Sequence, residues 1–319
     1  MAIEHAHAHA HAKPWGVSDL RPWSSARHSE PIGEIWYERP GPATPDSSLL
    51  LKLLFTSQPL SIQVHPGDAY AQSIGLPNGK TEAWCVLSAA PGARVALGLA
   101  QPITPQALRA AVGDGSIANL VVWRDVSAGD VISVPAGTIH AIGAGLVIAE
   151  IQQRSNATFR MFDYGRKREL HIDDAVAVAN VGPAAFQVPA GRPIGARTML
   201  VSNPHFVLEK FELPPDSNWR LDADGETWML VLAGGGRTDS FSVATGDAVF
   251  LQADRADIDA GPAGLTGLLA YTGTELAPGL QRRSAQSDGS DAKRTPEAAF
   301  SGSLTQATEP ARGCIETIQ

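Results

Sequence analysis

Two cysteines in 319 residues, Cys85 and Cys314, are too few for a disulfide framework. The core must therefore hold the fold, and a reducing cytoplasm is the expected location. No apolar run approaches the roughly 20 residues that a membrane-spanning helix needs, and the amino terminus lacks the apolar centre of a signal peptide. Charge is scarce as well: 18% of residues are Asp, Glu, Lys or Arg, with a formal net charge of −8. An acidic balance argues against nucleic acid or an anionic membrane as the partner. It leaves room for a small phosphorylated substrate, because a site needs only a few local cations. In place of these missing features stand 31 Gly and 23 Pro, which point to many short strands joined by turns, an all-β class rather than helical bundles. The length allows one large or two medium domains with real cores.

The most informative stretch runs from Leu60 to Trp84, LSIQVHPGDAYAQSIGLPNGKTEAW. Leu60, Ile62 and Val64 alternate with Ser61, Gln63 and His65, so a period of two puts the polar trio on one face of a strand. Pro66 cannot donate to a ladder and ends the run. After a short polar excursion, Lys80 and Glu82 open a second strand, again two apart and on one face. Gln63, His65 and Glu82 offer one nitrogen and two oxygen donors, a set that suits Zn²⁺ or another borderline divalent ion once a fourth donor arrives. That donor is expected at His140. Gly129, Pro135, Gly137 and His140 follow the spacing G-x5-P-x-G-x2-H: a strand, a tight turn, and a His at the start of the return strand.

The rest of the chain reads as scaffold. Residues 4–12, EHAHAHAHA, place His5, His7, His9 and His11 at alternate positions. The repeat resembles an affinity tag or metal-grabbing tail, so residues 1–12 are expected to be disordered. Trp15, Trp23 and Trp36 mark segments docked onto the core. LLLKLLF (49–55) predicts a buried strand in which Lys52 is the anomaly, either an edge residue or one facing the same polar cavity as Ser61. A helix is expected from Thr104-Pro105 to a stop at Gly113, and another over 169–179 with Asp173 or Asp174 near its start. Asn156, Thr158 and Arg160 share one strand face, whereas His28, His171 and His205 lack metal-site company and read as ordinary residues.

Strands restart near Phe186. The expected organisation is a metal-binding catalytic domain over 13–180, a second, metal-free domain over 186–275 and a disordered tail over 276–319. Aligning Gly246 with Gly129 puts Gln252, Asp254 and Asp257 where Pro135, Gly137 and His140 stand, so the frame recurs without the ligand.

The G-x5-P-x-G-x2-H run resembles the second cupin motif, which implies a double-sheet jelly roll with a metal in its mouth. Together with LSIQVHP, GKTEAW, PAGTIHAIG and EIQQRSNATFR in this order, the chain resembles the type I mannose-6-phosphate isomerases in their shorter bacterial form, over roughly residues 13 to 275. The resemblance implies two cupin-type jelly-roll domains and one divalent metal, usually zinc, held by Gln63, His65, Glu82 and His140. It also implies substrate contacts from Ser61 and Lys80, and active-site roles for Glu150 and Arg160.

The implied reaction interconverts mannose 6-phosphate and fructose 6-phosphate through an enediol. Glu150 is the candidate acid/base, Arg160 and Lys80 stabilise charge, and Ser61 serves the phosphate end. Arg160 has a bland alternative, a structural ion pair with Glu150 or an aspartate. The competing function is a non-catalytic sugar-binding cupin of the same family. Members often carry Ser-Asp where this chain has Ser155-Asn156, so a role that needs a carboxylate there is lost or altered. Ala144 also replaces the Asn of the generic cupin motif. An Fe²⁺ dioxygenase would call for more His ligands than this set offers.

Overall fold

The computed structural model describes residues 3–41, 46–185, 191–273 and 279–283. The chain enters as β1 (Glu4–His5), β2 (His7–Val17), β3 (Ile32–Glu38) and β4 (Leu49–Thr56). Then come β5 (Ile62–Val64), α1 (Asp68–Ser73), β6 (Glu82–Ala89), β7 (Arg94–Leu99), α2 (Pro105–Asp114), β8 (Val121–Asp125) and β9 (Val131–Val134). β10 (His140–Ile142), β11 (Leu146–Gln153), β12 (Phe159–Phe162) and α3 (Ile172–Val178) complete the first half. The second holds β13 (Arg192–Ile194), β14 (Arg197–Ser202), β15 (Phe206–Leu213), β16 (Asn218–Asp222), β17 (Glu226–Thr238), β18 (Ser242–Ala244), β19 (Ala248–Gln252), β20 (Arg255–Thr272) and β21 (Gly279–Arg282). The all-β expectation holds.

Among the described residues the strands form three antiparallel sheets. Six strands run in the order β2-β3-β4-β11-β6-β9, and five in the order β12-β5-β10-β7-β8. Ten form the third sheet, along β13-β14-β15-β20-β17-β19-β1 with β16, β18 and β21 branching off. β4 explains the layering. Leu51, Leu53 and Phe55 pack against Phe206, Trp228 and Phe250 of the ten-stranded sheet, while Leu54 faces the other way, onto Val95 and Ile142 of the five-stranded sheet. A strand buried on both faces needs a continuous apolar run, which is what LLLKLLF supplies. Each such Leu or Phe contributes about 1.5–3 kcal/mol by leaving water. The outer face of the five-stranded sheet is covered by α2 and α3, with Leu108, Val112 and Ala175 against Ile62 and Met161.

Several expectations change. The His-Ala repeat is not a loose tail: His7, His9 and His11 pair with Glu38, Trp36 and Glu34 across β2 and β3. Alternating residues fit a pleated edge, and Ala6 is buried in the central core. The two expected domains also share that core, so residues up to Ser284 form one compact unit. Of the expected tail, 279–282 form β21 against β16; residues 284–319, with Cys314, lie outside the described residues, as do 186–190. The polar excursion after Pro66 contains α1, which was not anticipated. α2 begins as expected, with Thr104 Oγ1 accepting from Ala107 N at 3.1 Å, but it ends at Gly115 (φ 81°) rather than Gly113. No helix among the described residues is long and apolar enough to cross a membrane.

Candidate active site

Sheet register brings the polar residues together. His140 pairs with Gln63 across β10 and β5, and Arg160 pairs with Gln63 across β12 and β5. From the opposing sheet come Glu82 and a cross-strand row in which Trp36 pairs with Lys52, Lys52 with Glu150, and Glu150 with Trp84. Side chains two apart share a face, so Glu82 and Trp84 point the same way.

His65 Nε2 lies 3.4 Å from Glu82 Oε2, and His140 Nε2 lies 3.5 Å from Glu82 Oε1. All three side chains are 1% exposed. Among the described residues, this is the group of His, Cys, Asp or Glu donors that lie within 4.8 Å of one another. His65 Nδ1 donates to the Ala157 carbonyl at 2.8 Å and His140 Nδ1 to the Thr138 carbonyl at 2.9 Å. That leaves both Nε2 atoms as lone-pair donors beside the carboxylate, free of a proton and able to ligate a cation. Two donors bound to one tetrahedral ion at 2.0–2.2 Å lie roughly 3.3–3.6 Å apart, and the spacing here matches. Glu82 Oε2 is buried without an aligned hydrogen bond. Lys80 Nζ sits 2.9 Å from it, supplying charge, and donates to His65 Nε2 at 3.1 Å. The residues fit a divalent metal.

The electrostatics agree. Burial pushes the Glu82 carboxyl up, but Lys80, His65 and His140 together hold it well below the usual carboxylate range. Burial, reinforced by Lys80, pushes His65 down to about 3, so its imidazole is a neutral donor. Gln63 places Nε2 3.3 Å from His140 Nε2 and accepts from Ser61 Oγ at 2.9 Å through Oε1. Turned end for end, the amide presents its oxygen at the ligand position.

Glu150 is the second buried carboxylate. Its Oε2 accepts from Trp84 Nε1 at 3.1 Å, and the same N–H reaches Glu82 Oε1 at 3.1 Å. Its Oε1 lies 3.5 Å from Lys52 Nζ. Burial first, and Glu82 second, raise its pKa against Lys80 and Lys52. Lys52 is therefore not a snorkelling edge residue: it is buried on a central strand, 4.5 Å above the Trp36 ring. Trp36 Nε1 donates to Glu34 Oε2 at 2.6 Å, and Lys13 Nζ lies 3.5 Å from Glu34 Oε1.

Gln63, Glu34, Glu150 and Glu169 line a cavity of about 450 Å³ together with the cations Lys13, Lys52, Lys80, Arg160 and Arg168, with Ser61, Asn156 and Thr158 on its wall. The volume falls in the range of small-molecule sites. Arg160 Nη1 donates to the Glu169 carbonyl at 2.7 Å, and its Nε is buried without a partner. The bland Arg160–Glu150 pair is not what forms, since Lys52 and Trp84 engage that carboxylate.

Sequence reasoning missed His171, which lines the cavity and accepts from Arg160 N at 3.1 Å through Nδ1. Glu34 and Trp36 were also missed. The alternation in IGEIWYE, with Ile35 and Tyr37 facing the core, is the signal that could have found them.

No family model matches the chain. The mannose-6-phosphate isomerase of Streptococcus mutans is 36% identical over 215 residues, which span 64% of this chain and 67% of that protein. The Bacillus subtilis protein named "Probable mannose-6-phosphate isomerase GmuF" is 31% identical over 245 residues, 70% of this chain and 76% of its own length. Among solved structures, the Bacillus subtilis mannose 6-phosphate isomerase aligns with a TM-score of 0.74 at 23% identity, over 85% of this chain and 100% of that one. The apo form from Salmonella typhimurium gives 0.66 at 16% identity, over 85% of this chain and 100% of that one. Sequence likeness across two thirds of curated relatives, on a shared fold, makes the chain a member of the mannose-6-phosphate isomerase family.

Proposed function

We propose that the chain interconverts mannose 6-phosphate and fructose 6-phosphate. The observation that carries this reading is a buried His65, Glu82 and His140 group whose neighbours Gln63 and Lys80 line a cavity with five cations against the three carboxylates of Glu34, Glu150 and Glu169, in a protein of net charge −8. Gln63, His65, Glu82 and His140 hold one divalent ion in this reading, and two imidazoles with two oxygen donors suit zinc. When bound, such an ion supplies Lewis-acid polarisation of substrate oxygens.

The chain's own groups do the rest. Glu150, whose pKa is raised by burial, takes the proton from C2 of the ring-opened sugar and returns it to C1, while the O2 hydroxyl proton passes to O1 to complete the enediol and then the ketose. Lys52 and the Trp84 N–H orient that carboxylate. Lys80 and Arg160 stabilise the enediolate charge, and Ser61 together with Arg160 binds the phosphate end. A phosphorylated sugar and the free thiol of buried Cys85 suit a cytoplasmic setting. The test is a coupled assay for fructose 6-phosphate from mannose 6-phosphate, before and after chelation. Turnover lost on chelation and restored by Zn²⁺ is expected. A folded, metal-replete protein that makes no product sinks the reading.

A further inference from the structure

We propose a second metal site on the surface, in which His7, His9 and Glu38 chelate a borderline divalent transition ion such as Zn²⁺ or Ni²⁺. It rests on strand geometry and does not depend on the reaction assigned above. A loose His-Ala tail would collect ions indifferently, but β2 fixes its histidines on one face, with His7 directly across from Glu38. His9 Nε2 lies 3.6 Å from Glu38 Oε2, within roughly the separation that two donors of one tetrahedral ion adopt. The rings of His7 and His9 stand 6.2 Å apart between centroids. The three donors do not all lie within 4.8 Å of one another as the side chains stand; residues directly opposite in an antiparallel pair have Cβ atoms about 4.5–5.5 Å apart, so the site needs a side-chain rotation of His7 toward the His9–Glu38 pair.

The exposure of the pair supports ligand binding over a structural role. His9 is 51% and Glu38 39% exposed, and His7 is exposed as well, so an ion from solvent can reach all three side chains. The other Glu38 oxygen lies 3.7 Å from Arg154 Nη2, which leaves Oε2 to the ion. His5 and His11 are engaged elsewhere, His5 Nε2 at 3.4 Å from Asp247 and the His11 ring 4.5 Å from that of Trp36. Imidazole and carboxylate together favour Zn²⁺, Ni²⁺ or Cu²⁺ over Mg²⁺ or Ca²⁺. The row from His9 continues through Trp36, Lys52, Glu150 and Trp84. The ion therefore sits at the outer edge of the sheet that carries the catalytic carboxylates, separate from the His65, Glu82 and His140 group.

Calorimetric titration of chelator-stripped full-length protein with Ni²⁺ tests the site, with circular dichroism as the folding control. Wild type is expected to take two equivalents, and His7→Asn/His9→Asn one. Glu38→Gln should weaken the surface equivalent by about tenfold or more, no less than the loss of an outer-shell partner costs. His140→Ala should keep the surface equivalent, and His5→Asn/His11→Asn should leave it unaltered. Equal stoichiometry in wild type and His7→Asn/His9→Asn overturns the proposal. Equal weakening by the His5/His11 and His7/His9 pairs also overturns it, since that is the behaviour of an unstructured chelating string.

Discussion

Laid side by side, β3-β4-β11-β6-β9 of the first half and β14-β15-β20-β17-β19 of the second follow one strand order. The turns entering β9 and β19 agree down to their hydrogen bonds. Gly129 and Gly246 sit at φ 96° and 92°, and Asp130 and Asp247 each accept, at 2.8 Å, the backbone N–H three residues earlier. Counted from that turn, the row Trp36, Lys52, Glu150, Trp84, Ile132 corresponds to Met199, Glu209, Leu269, Met229, Val249. Glu82 corresponds to Thr227. In the first half this face carries buried charges around a cavity; in the second, Leu269, Met229 and Val249 close into an apolar core. Glu209 keeps a buried ion pair there, with Arg197 at 2.8 Å. One backbone frame thus serves either chemistry or packing. Buried acids are tolerable only with cations beside them, whereas apolar side chains at the same positions contribute burial energy directly.

The largest effect that separates the halves is metal loss. His140→Ala should abolish turnover and lower metal affinity beyond the roughly 10–100-fold that loss of an outer-shell partner costs. Thr227→Ala, at the position matching Glu82, should leave bound metal unchanged. Metal has to be counted in a His7→Asn/His9→Asn background, because deleting residues 1–12 would remove β1 and much of β2. Full metal content in His140→Ala would place the site elsewhere. Next comes Leu269→Ala, which should destabilise by about 2–5 kcal/mol while leaving turnover at low temperature intact. Its counterpart Glu150→Gln should differ in turnover, which is lost, while the melting temperature also falls, because Lys52 is left a buried charge without its partner. Denaturant melts with kinetics on both variants check the contrast.

Arg160→Ala should cost about 3 kcal/mol in transition-state stabilisation, roughly a hundredfold in kcat/KM, with the melting temperature near that of wild type. Arg160→Lys should recover part of this, since an ammonium lacks the guanidinium fork. Unchanged kcat/KM in Arg160→Ala would remove this residue from the site.

What sequence reveals here divides along the line between local and non-local geometry. Gln63 with His65, Lys80 with Glu82, and the turn before His140 are spacings within one or two strands, and a period of two exposes them. That Lys52 lies opposite Glu150 depends on which strand pairs with which, and at what register, which no local pattern contains. His171 reaches the cavity from the segment leading into α3, where its N–H and Nδ1 both pair with the Arg160 backbone, a contact that no local pattern announces. The His-Ala repeat has no bulky apolar residue to announce a strand, and its order comes from the β3 ladder and from Ala6 in the core. Gly115 rather than Gly113 caps α2 because it is the one that takes the left-handed conformation.

The smallest predicted effect falls on Asp257, the residue that sequence alignment puts in place of His140. It lies in β20 opposite Arg220, and its carboxylate is held by Arg220 Nε and Arg283 Nη1, each at 2.7 Å. The Arg220 hydrogen bonds lower its pKa, although burial opposes them. Because the pairs are largely solvated, screening limits their joint worth to about 1 kcal/mol or less. A carboxyl whose folded pKa is depressed stabilises the fold above the ordinary carboxylate range, and that contribution disappears as pH falls through the folded value. Asp257→Ala should therefore lower the melting temperature slightly at neutral pH, and the gap to wild type should close on acidification. Turnover should be unaltered. If the purified variant stays folded yet loses turnover, the second half takes part in the chemistry, and its reading as packed support is wrong.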